Sequence, residues 1–472
     1  MLDLLFKKRV FIYTYISLLF LLACTIVIQN QEINGVIIFA YIASIMLILS
    51  SRLTDAMLPA MLLCVFVTRC YDSADEFIAR IPYFIPLIFA IIFHFIKYHK
   101  KFRIGRSFIG LCAVTISVTL GGLGTISSEE YFTGAALYHV FGLGLGMLLF
   151  YLLVKSSFTE ESGREVTKIM YIVGLFASFC IIRFYIADWQ TFLETKQFVK
   201  FQSDNNLSTF LMFAMPFPLF YASRRYVDIL STMLFYFCIV ISGSRGGLVM
   251  GTIEFILILL AFTIYNKSIV NSVINLLTIV ALTIFVFKFS SEILSFLGIS
   301  EAVSDESNTL IDYIEKIKGY ILKKGEPRMQ LLQRMIGDFK SNPVFGVGIG
   351  YTGNENIYNP VKGAMNWYHM WVAQVIGGLG IVGILSYGYQ LIERIIIFLK
   401  NRNLLNFTFL MSYMGLFLMS QVNPGEFCPM PYAALAVTFF IIIEKDDIEI
   451  SGLWRQFKAK LSKNKVHTVI EK

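Results

Sequence analysis

Three residues offer chemistry outside the apolar runs of this sequence: Arg245, Arg328 and His369. Arg245 stands in Ser242-Gly-Ser-Arg-Gly-Gly247, where flanking glycines leave a guanidinium unshielded and let a bulky ligand approach. A planar guanidinium suits bidentate binding of phosphate. Arg328 follows Glu326-Pro327. Proline suits the first turn of a helix, so Arg328 is expected in a first turn whose free backbone N–H groups also favour an anion. His369 is flanked by Trp367, Tyr368 and Trp371, and an imidazole titrating near ~6.5 is suited to proton transfer. Two anion-binding arginines and a general base form a coherent set. The plainer alternatives are a snorkelling interfacial arginine at 245 and an aromatic-belt histidine at 369. What decides between them is whether the elements bring the three residues to one side.

Those elements are membrane spans. The 472 residues are 56% hydrophobic and 15% charged, with a mean hydropathy of +0.68, whereas a soluble domain carries about 25% charged residues. Repeated continuous apolar runs are long enough to cross a hydrocarbon core of about 30 Å, and their lack of alternation excludes a barrel. The expected fold is therefore all-α: a polytopic helical membrane protein of about 12–14 transmembrane helices with one long extracytoplasmic loop. Candidate spans lie near 10–28, 33–50, 56–68, 81–96, 108–126, 135–154, 169–187, 207–222, 229–241, 248–265, 269–287, 370–398, 404–420 and 430–443. They divide the chain into N-terminal helices (1–200), middle helices (201–287), the loop (288–369), C-terminal helices (370–443) and a tail (444–472). With the N-terminus inside, the inner connections hold Arg52, Lys97, Lys100, Lys101, Arg103, Arg106, Lys155, Arg164, Lys168, Arg224, Arg225, Lys267, Lys400 and Arg402. The outer connections 29–32, 127–134 and 421–429 hold no basic residue. The net charge of +8 is thus a positive-inside signal rather than a nucleic-acid footprint, and both termini are expected in the cytoplasm.

This topology puts Arg245, the loop, Asp204-Asn-Asn206 and Glu426 on the outer face. Within the loop, Leu310, Ile314, Ile317 and Ile321 recur at helical spacing among charges, the pattern of an amphipathic surface helix. A second helix is expected from Glu326 to Asn342-Pro343, with an apolar stripe of Met329, Leu332, Ile336 and Phe339. Gly346-Val-Gly-Ile-Gly350 lacks the strand–helix context of a nucleotide site and reads as backbone passing close to another element or ligand. Glu426, in Asn423-Pro-Gly-Glu426, could orient an imidazole or bind a sugar hydroxyl, and His139 is a weaker candidate near an outer boundary. There is no Asp-x-Asp on an outer loop and no histidine–carboxylate cluster of metal-ligand type, so no metal or other cofactor is expected and arginines would stabilise anionic charge. Five cysteines lie in apolar spans, and Cys70 and Cys428, near span ends, could pair.

In their order along the chain, these pieces resemble the O-antigen ligase and O-antigen polymerase superfamily of bacterial envelope enzymes. The matching pieces are Asp204-Asn-Asn206-Leu-Ser, Gly243-Ser-Arg-Gly246, Pro327-Arg328 followed by Asp338 and Asn342-Pro-Val-Phe-Gly-Val-Gly348, then Tyr368-His369 and Gly377-Gly-Leu-Gly-Ile-Val-Gly383. They cover roughly residues 200–385. Met370 stands where the family usually has Asn, and the tryptophan common after the loop arginine is absent. The resemblance implies a metal-independent, C-type membrane glycosyltransferase of the cytoplasmic (inner) membrane, active on its extracytoplasmic face. The implied donor is an undecaprenyl-diphosphate-linked glycan and the acceptor a glycan or lipid-linked molecule, with membrane lipids and a chain-length regulator as further partners. By that resemblance Arg245 and Arg328 would hold the diphosphate and His369 would activate the acceptor hydroxyl or position the pyrophosphate; Asn206, Glu426, His139 and Arg334 are the candidate substrate-binding residues. Polymerisation of repeat units is the leading expectation and ligation to lipid A–core or another acceptor the alternative. A transporter fits less well, because its ionisable residues belong near the midplane. Here only Arg183 lies deep in a span, with Glu254 and Arg394 nearer span ends.

Overall fold

The computed structural model describes residues 32–51, 81–98, 102–132, 134–159, 161–187, 204–220, 226–242, 244–265, 326–350, 368–423, 425–445 and 448–449, with scattered positions between 18 and 25 and between 270 and 284. Backbone in lipid must satisfy its own hydrogen bonds, and nearly every long element is accordingly helical. In chain order they are α1 (Glu32–Leu49), α2 (Ile85–Tyr98), α3 (Ser107–Leu120), α4 (Gly134–Leu143), α5 (Leu145–Ser157), α6 (Ser162–Ala187), α7 (Asp204–Ala214), α8 (Tyr226–Ile241), α9 (Arg245–Tyr265), α10 (Glu326–Ser341), α11 (Trp371–Lys400), α12 (Leu404–Ser420) and α13 (Ala434–Ile443). Two two-residue strands, β1 (Arg103–Ile104) and β2 (Ile448–Glu449), pair antiparallel. The chain is an all-α polytopic membrane protein. The expected surface helix at 310–321 and the spans at 56–68 and 269–287 lie outside, or mostly outside, the described residues.

Aromatic side chains hold the centre of the bundle. Phe213, Phe217, Phe409 and Phe439 are fully buried and meet edge-on or tilted, and Tyr432 stacks on Phe213. At the end of the bundle that carries the basic connections, charges are buried but paired. The Glu444 carboxylate accepts from Lys155 Nζ (3.1 Å), the Tyr151 hydroxyl (2.6 Å), and both the N–H (2.9 Å) and Oγ (2.7 Å) of Ser107. Arg106 forms a two-point ion pair with Glu393. A buried charge is tolerated only with such a set of partners. Together with the strand pair, these bonds tie the start of α3 to the end of α13.

Two expected spans are broken. The run at 135–154 bends by 40° between α4 and α5, at Gly144. The run at 370–398 is not one straight helix: Gly380 adopts φ 62°, ψ −152°, a region essentially confined to glycine. Residues 371–379 fold back along 381–387. The rings of Trp371 and Tyr387 lie 5.8 Å apart, although 16 residues of straight helix would separate them by about 24 Å. A Cβ on Gly383 would collide with Leu379 and lie 3.1 Å from the Val375 carbonyl. α11 is therefore a helical hairpin whose turn is Gly380.

Candidate functional site

Breaking a helix exposes carbonyls on one side of the break and N–H groups on the other. The segment after α10 satisfies both sets. Val347 and Gly348 donate to the carbonyls of Gly377 (3.0 Å) and Gly378 (2.8 Å), while Ile381 and Val382 donate to the carbonyls of Pro343 (2.9 Å) and Val344 (3.1 Å). The two backbones approach so closely that a Cβ on Gly346 would meet the Gly378 carbonyl carbon and Leu379 N at 2.5 Å. Gly346 and Gly348 also hold positive φ, 64° and 90°, where side chains are costly. The glycine-rich stretch expected to pass close to another element does so here, at the break in α11. On its far side it reaches the end of α3: Gly122 donates to Phe345 O (3.0 Å), and Asn342 Nδ2 donates to Leu123 O (2.8 Å) and Thr125 Oγ1 (2.9 Å).

α10 thus ends where the hairpin turns, and a side-chain bond joins it to the start of α11. The buried Tyr368 hydroxyl donates to Asp338 Oδ2 at 2.6 Å, and Asp338 also forms an ion pair with Arg334 at 3.6 Å. The Tyr368 N–H donates to Gln374 Oε1 (3.1 Å), and its ring lies where a Cβ on Gly377 would be, at 2.7 Å. His369 follows at φ 51°, the one positive-φ non-glycine residue among the described residues. The expected apolar stripe of α10 is only partly covered, with Leu332 and Phe339 half-buried. Met329 and Ile336 are 55% and 47% exposed, whereas Leu331 and Asp338 are buried. The helix docks through the face that carries its carboxylate.

Arg245 approaches the same end by another route. Ser244 caps α9, its hydroxyl accepting from Gly247 N–H (2.9 Å) and donating to Asn205 Oδ1 (2.8 Å). Ser208 and Ser242 bond at 2.9 Å, and any side chain at Gly247 would overlap Ser208. The N-termini of α7 and α9 are therefore adjacent. Gly246 sits against Val422, just past the end of α12. One turn earlier in α12, Phe417 meets Trp371, with ring centroids 5.7 Å apart. The starts of α9 and α11 therefore each contact the C-terminal end of α12, and the start of α7 is bonded to that of α9 through Asn205 and Ser244. Arg245, Arg328 and Asn206 are placed by their helices, and their side chains lie outside the described structure. His139 sits on α4 edge-on to Tyr138. Its neighbours Val140 and Leu143 share a core with Trp371 and Phe427.

Glu426 is not an open outer carboxylate. It is 6% exposed and accepts from Arg394 at 2.8 Å. Arg394 also donates to the Tyr413 hydroxyl (2.5 Å) and lies over the rings of Tyr413 and Phe440. Arg394, expected nearer a span end, is inside the bundle, and so is Glu254, which is fully buried against Gly415. Neither placement carries a local signal, because the residues packed around each come from other elements. Cys428 is a free thiol that donates to Met430 O (3.1 Å), and burial pushes it up to about 12. Cys70 lies outside the described residues.

Fold and site together define a polytopic helical membrane protein with a polar site at one end of its bundle. Residues 230–388 match the family model described as O-Antigen ligase, a stretch that contains Arg245, Arg328 and His369. The matched stretch is similar to that family and agrees with the resemblance drawn from the motifs between residues 200 and 385. No curated protein matches the chain.

Proposed function

We propose that the protein polymerises undecaprenyl-diphosphate-linked oligosaccharide repeat units into a surface polysaccharide at the outer face of the cytoplasmic membrane, with both termini in the cytoplasm. The observation that supports this reading is the contact of the starts of α9 and α11, the latter just after His369, with the end of α12, and the bond from the start of α9 to that of α7. Helix N-termini favour anions by about 0.3–1 kcal/mol each near a surface, and Arg245 opens one of them. Arg245 and Arg328 hold the diphosphate leaving group and neutralise the charge that develops as the glycosidic bond to it breaks, the task a metal performs in other sugar transfers. His369 takes the acceptor hydroxyl proton or positions the pyrophosphate. Asn206 and His139 are candidate substrate contacts. Arg334 and Glu426, engaged with Asp338 and Arg394, serve the site by supporting its walls.

Ligation is the second reading, favoured by the description of the matching family as O-Antigen ligase. The donor chemistry is shared and only the acceptor differs. A deletion strain separates the two. Single repeats on the final acceptor indicate lost polymerisation; long chains retained on the carrier lipid indicate lost ligation. In either case, Arg245→Ala, Arg328→Ala and His369→Ala are each expected to abolish the mature glycan at normal protein level. Unchanged glycan ladders in all three variants would remove the site assignment.

A further inference from the structure

We propose that Tyr368 and Asp338 are positioning residues. Their bond locks α10 to the His369 turn, so that Arg328 and His369 address one lipid diphosphate. The inference rests on the function proposed above and adds what sets the geometry of that site.

Asp338 lies 30 residues before Tyr368 in the chain, yet the phenol–carboxylate bond is short, 2.6 Å, and buried at both ends. Hydrogen bonds to a charged group contribute about 1.5–3 kcal/mol and have strict directional needs. A helix docked only by apolar contact can rotate or slide with little penalty. α10 leaves Met329 and Ile336 exposed and docks through Asp338 instead, so its rotation is set by a directional bond. Its C-terminal end is fixed separately by Asn342 against Leu123 and Thr125. With end and rotation both fixed, the position of Arg328 follows, ten residues or about 15 Å back along the helix axis.

The other partner of the bond is the residue next to His369. Left-handed backbone at a non-glycine residue costs about 1–2 kcal/mol and persists where its surroundings over-determine it. Tyr368 supplies that constraint. Its hydroxyl is held by Asp338, its N–H by Gln374 and its ring by the bare backbone of Gly377. One side chain therefore fixes the His369 turn and the helix of Arg328 at once.

The test is binding of undecaprenyl diphosphate to the full-length purified protein in lipid nanodiscs, with the unfolding midpoint recorded for each variant. Arg328→Ala is expected to weaken binding about tenfold and Tyr368→Phe by a similar factor. Adding Tyr368→Phe to an Arg328→Ala, His369→Ala protein is expected to weaken binding no further, because Tyr368 acts through those two residues. Asp338→Asn keeps an acceptor for the phenol and should bind within about threefold of the native protein, while Asp338→Leu should match Tyr368→Phe. A further, multiplying loss on adding Tyr368→Phe to the Arg328→Ala, His369→Ala protein would overturn the proposal, as would native binding by Tyr368→Phe when Arg328→Ala binds weakly. Native binding by Arg328→Ala would instead remove the functional reading itself, and this inference with it.

Discussion

Replacing Gly380 by alanine should disable the protein without touching any residue assigned to the proposed chemistry. Gly380 has φ 62° and ψ −152°, so an alanine there carries about 1–3 kcal/mol of backbone strain. Its Cβ would also lie 2.6 Å from Pro343 O and 2.7 Å from Gly346 N, both backbone atoms that cannot swing aside. Relief requires the 343–349 segment to withdraw, and that segment makes four backbone hydrogen bonds across the break, each with a net contribution of about 0.5–1.5 kcal/mol. Losing two of them plus the strain gives a penalty of about 2–6 kcal/mol. The control is Gly388→Ala in the same helix, where no atom lies within 4 Å of a new Cβ and alanine should gain up to about 1 kcal/mol of helix propensity. Thermal unfolding of both variants in nanodiscs, with glycan ladders from cells expressing them, provides the readout. Gly380→Ala should unfold earlier and lose long glycans, and Gly388→Ala should do neither. A Gly380→Ala protein with native midpoint and native ladders would refute the closure of the helix break by the 343–349 loop.

Further expectations concern the buried polar groups. Arg394→Met strands the Glu426 carboxylate in the bundle and should destabilise by about 3–5 kcal/mol, whereas Arg394→Met with Glu426→Gln should recover much of that loss in the same unfolding assay. A double variant as unstable as the single one would contradict the pairing. Glu254 has neither oxygen hydrogen-bonded among the described residues, so Glu254→Gln should leave the unfolding midpoint unchanged or raised; a marked fall would mean that the carboxyl has a partner. Cys428, with its thiol pushed up to about 12, is expected to react slowly at neutral pH because the thiolate is the nucleophile. Maleimide labelling of a variant lacking the other cysteines should be slow in the folded protein, accelerate as pH rises towards that value, and become fast on denaturation. Fast labelling of the folded protein at neutral pH would contradict this environment.

Much of the architecture was legible from composition, because a bilayer permits few structures and the runs of Leu, Ile, Val and Phe had the required length. The limits of α10, Glu326 to Ser341, followed from Pro327 at one end and Asn342-Pro343 at the other. The hairpin in α11 was not legible. Its glycines at 377, 378, 380 and 383 read equally well as a smooth small-residue helix face, and only the partner loop distinguishes the one that bends. The side-chain partners of Asp338 and Glu426 were hidden for a related reason. They come from Tyr368 and Arg394, about thirty residues away in each case, and periodicity speaks only to neighbours within a turn or two. For α10 the pattern was only part of the answer, since Met329 and Ile336 are exposed while Leu332 and Phe339 are half-buried and Leu331 and Asp338 are buried.

The central claim is that Arg245, Arg328 and His369 form one diphosphate-releasing site. Its most direct test uses purified protein in nanodiscs with a lipid-linked repeat unit, measuring undecaprenyl diphosphate released for each glycosidic bond formed. One molecule released per bond by the native protein is expected, with release lost in Arg245→Ala, Arg328→Ala and His369→Ala while their unfolding midpoints stay native. Release at the native rate by folded variants of all three residues would contradict the account.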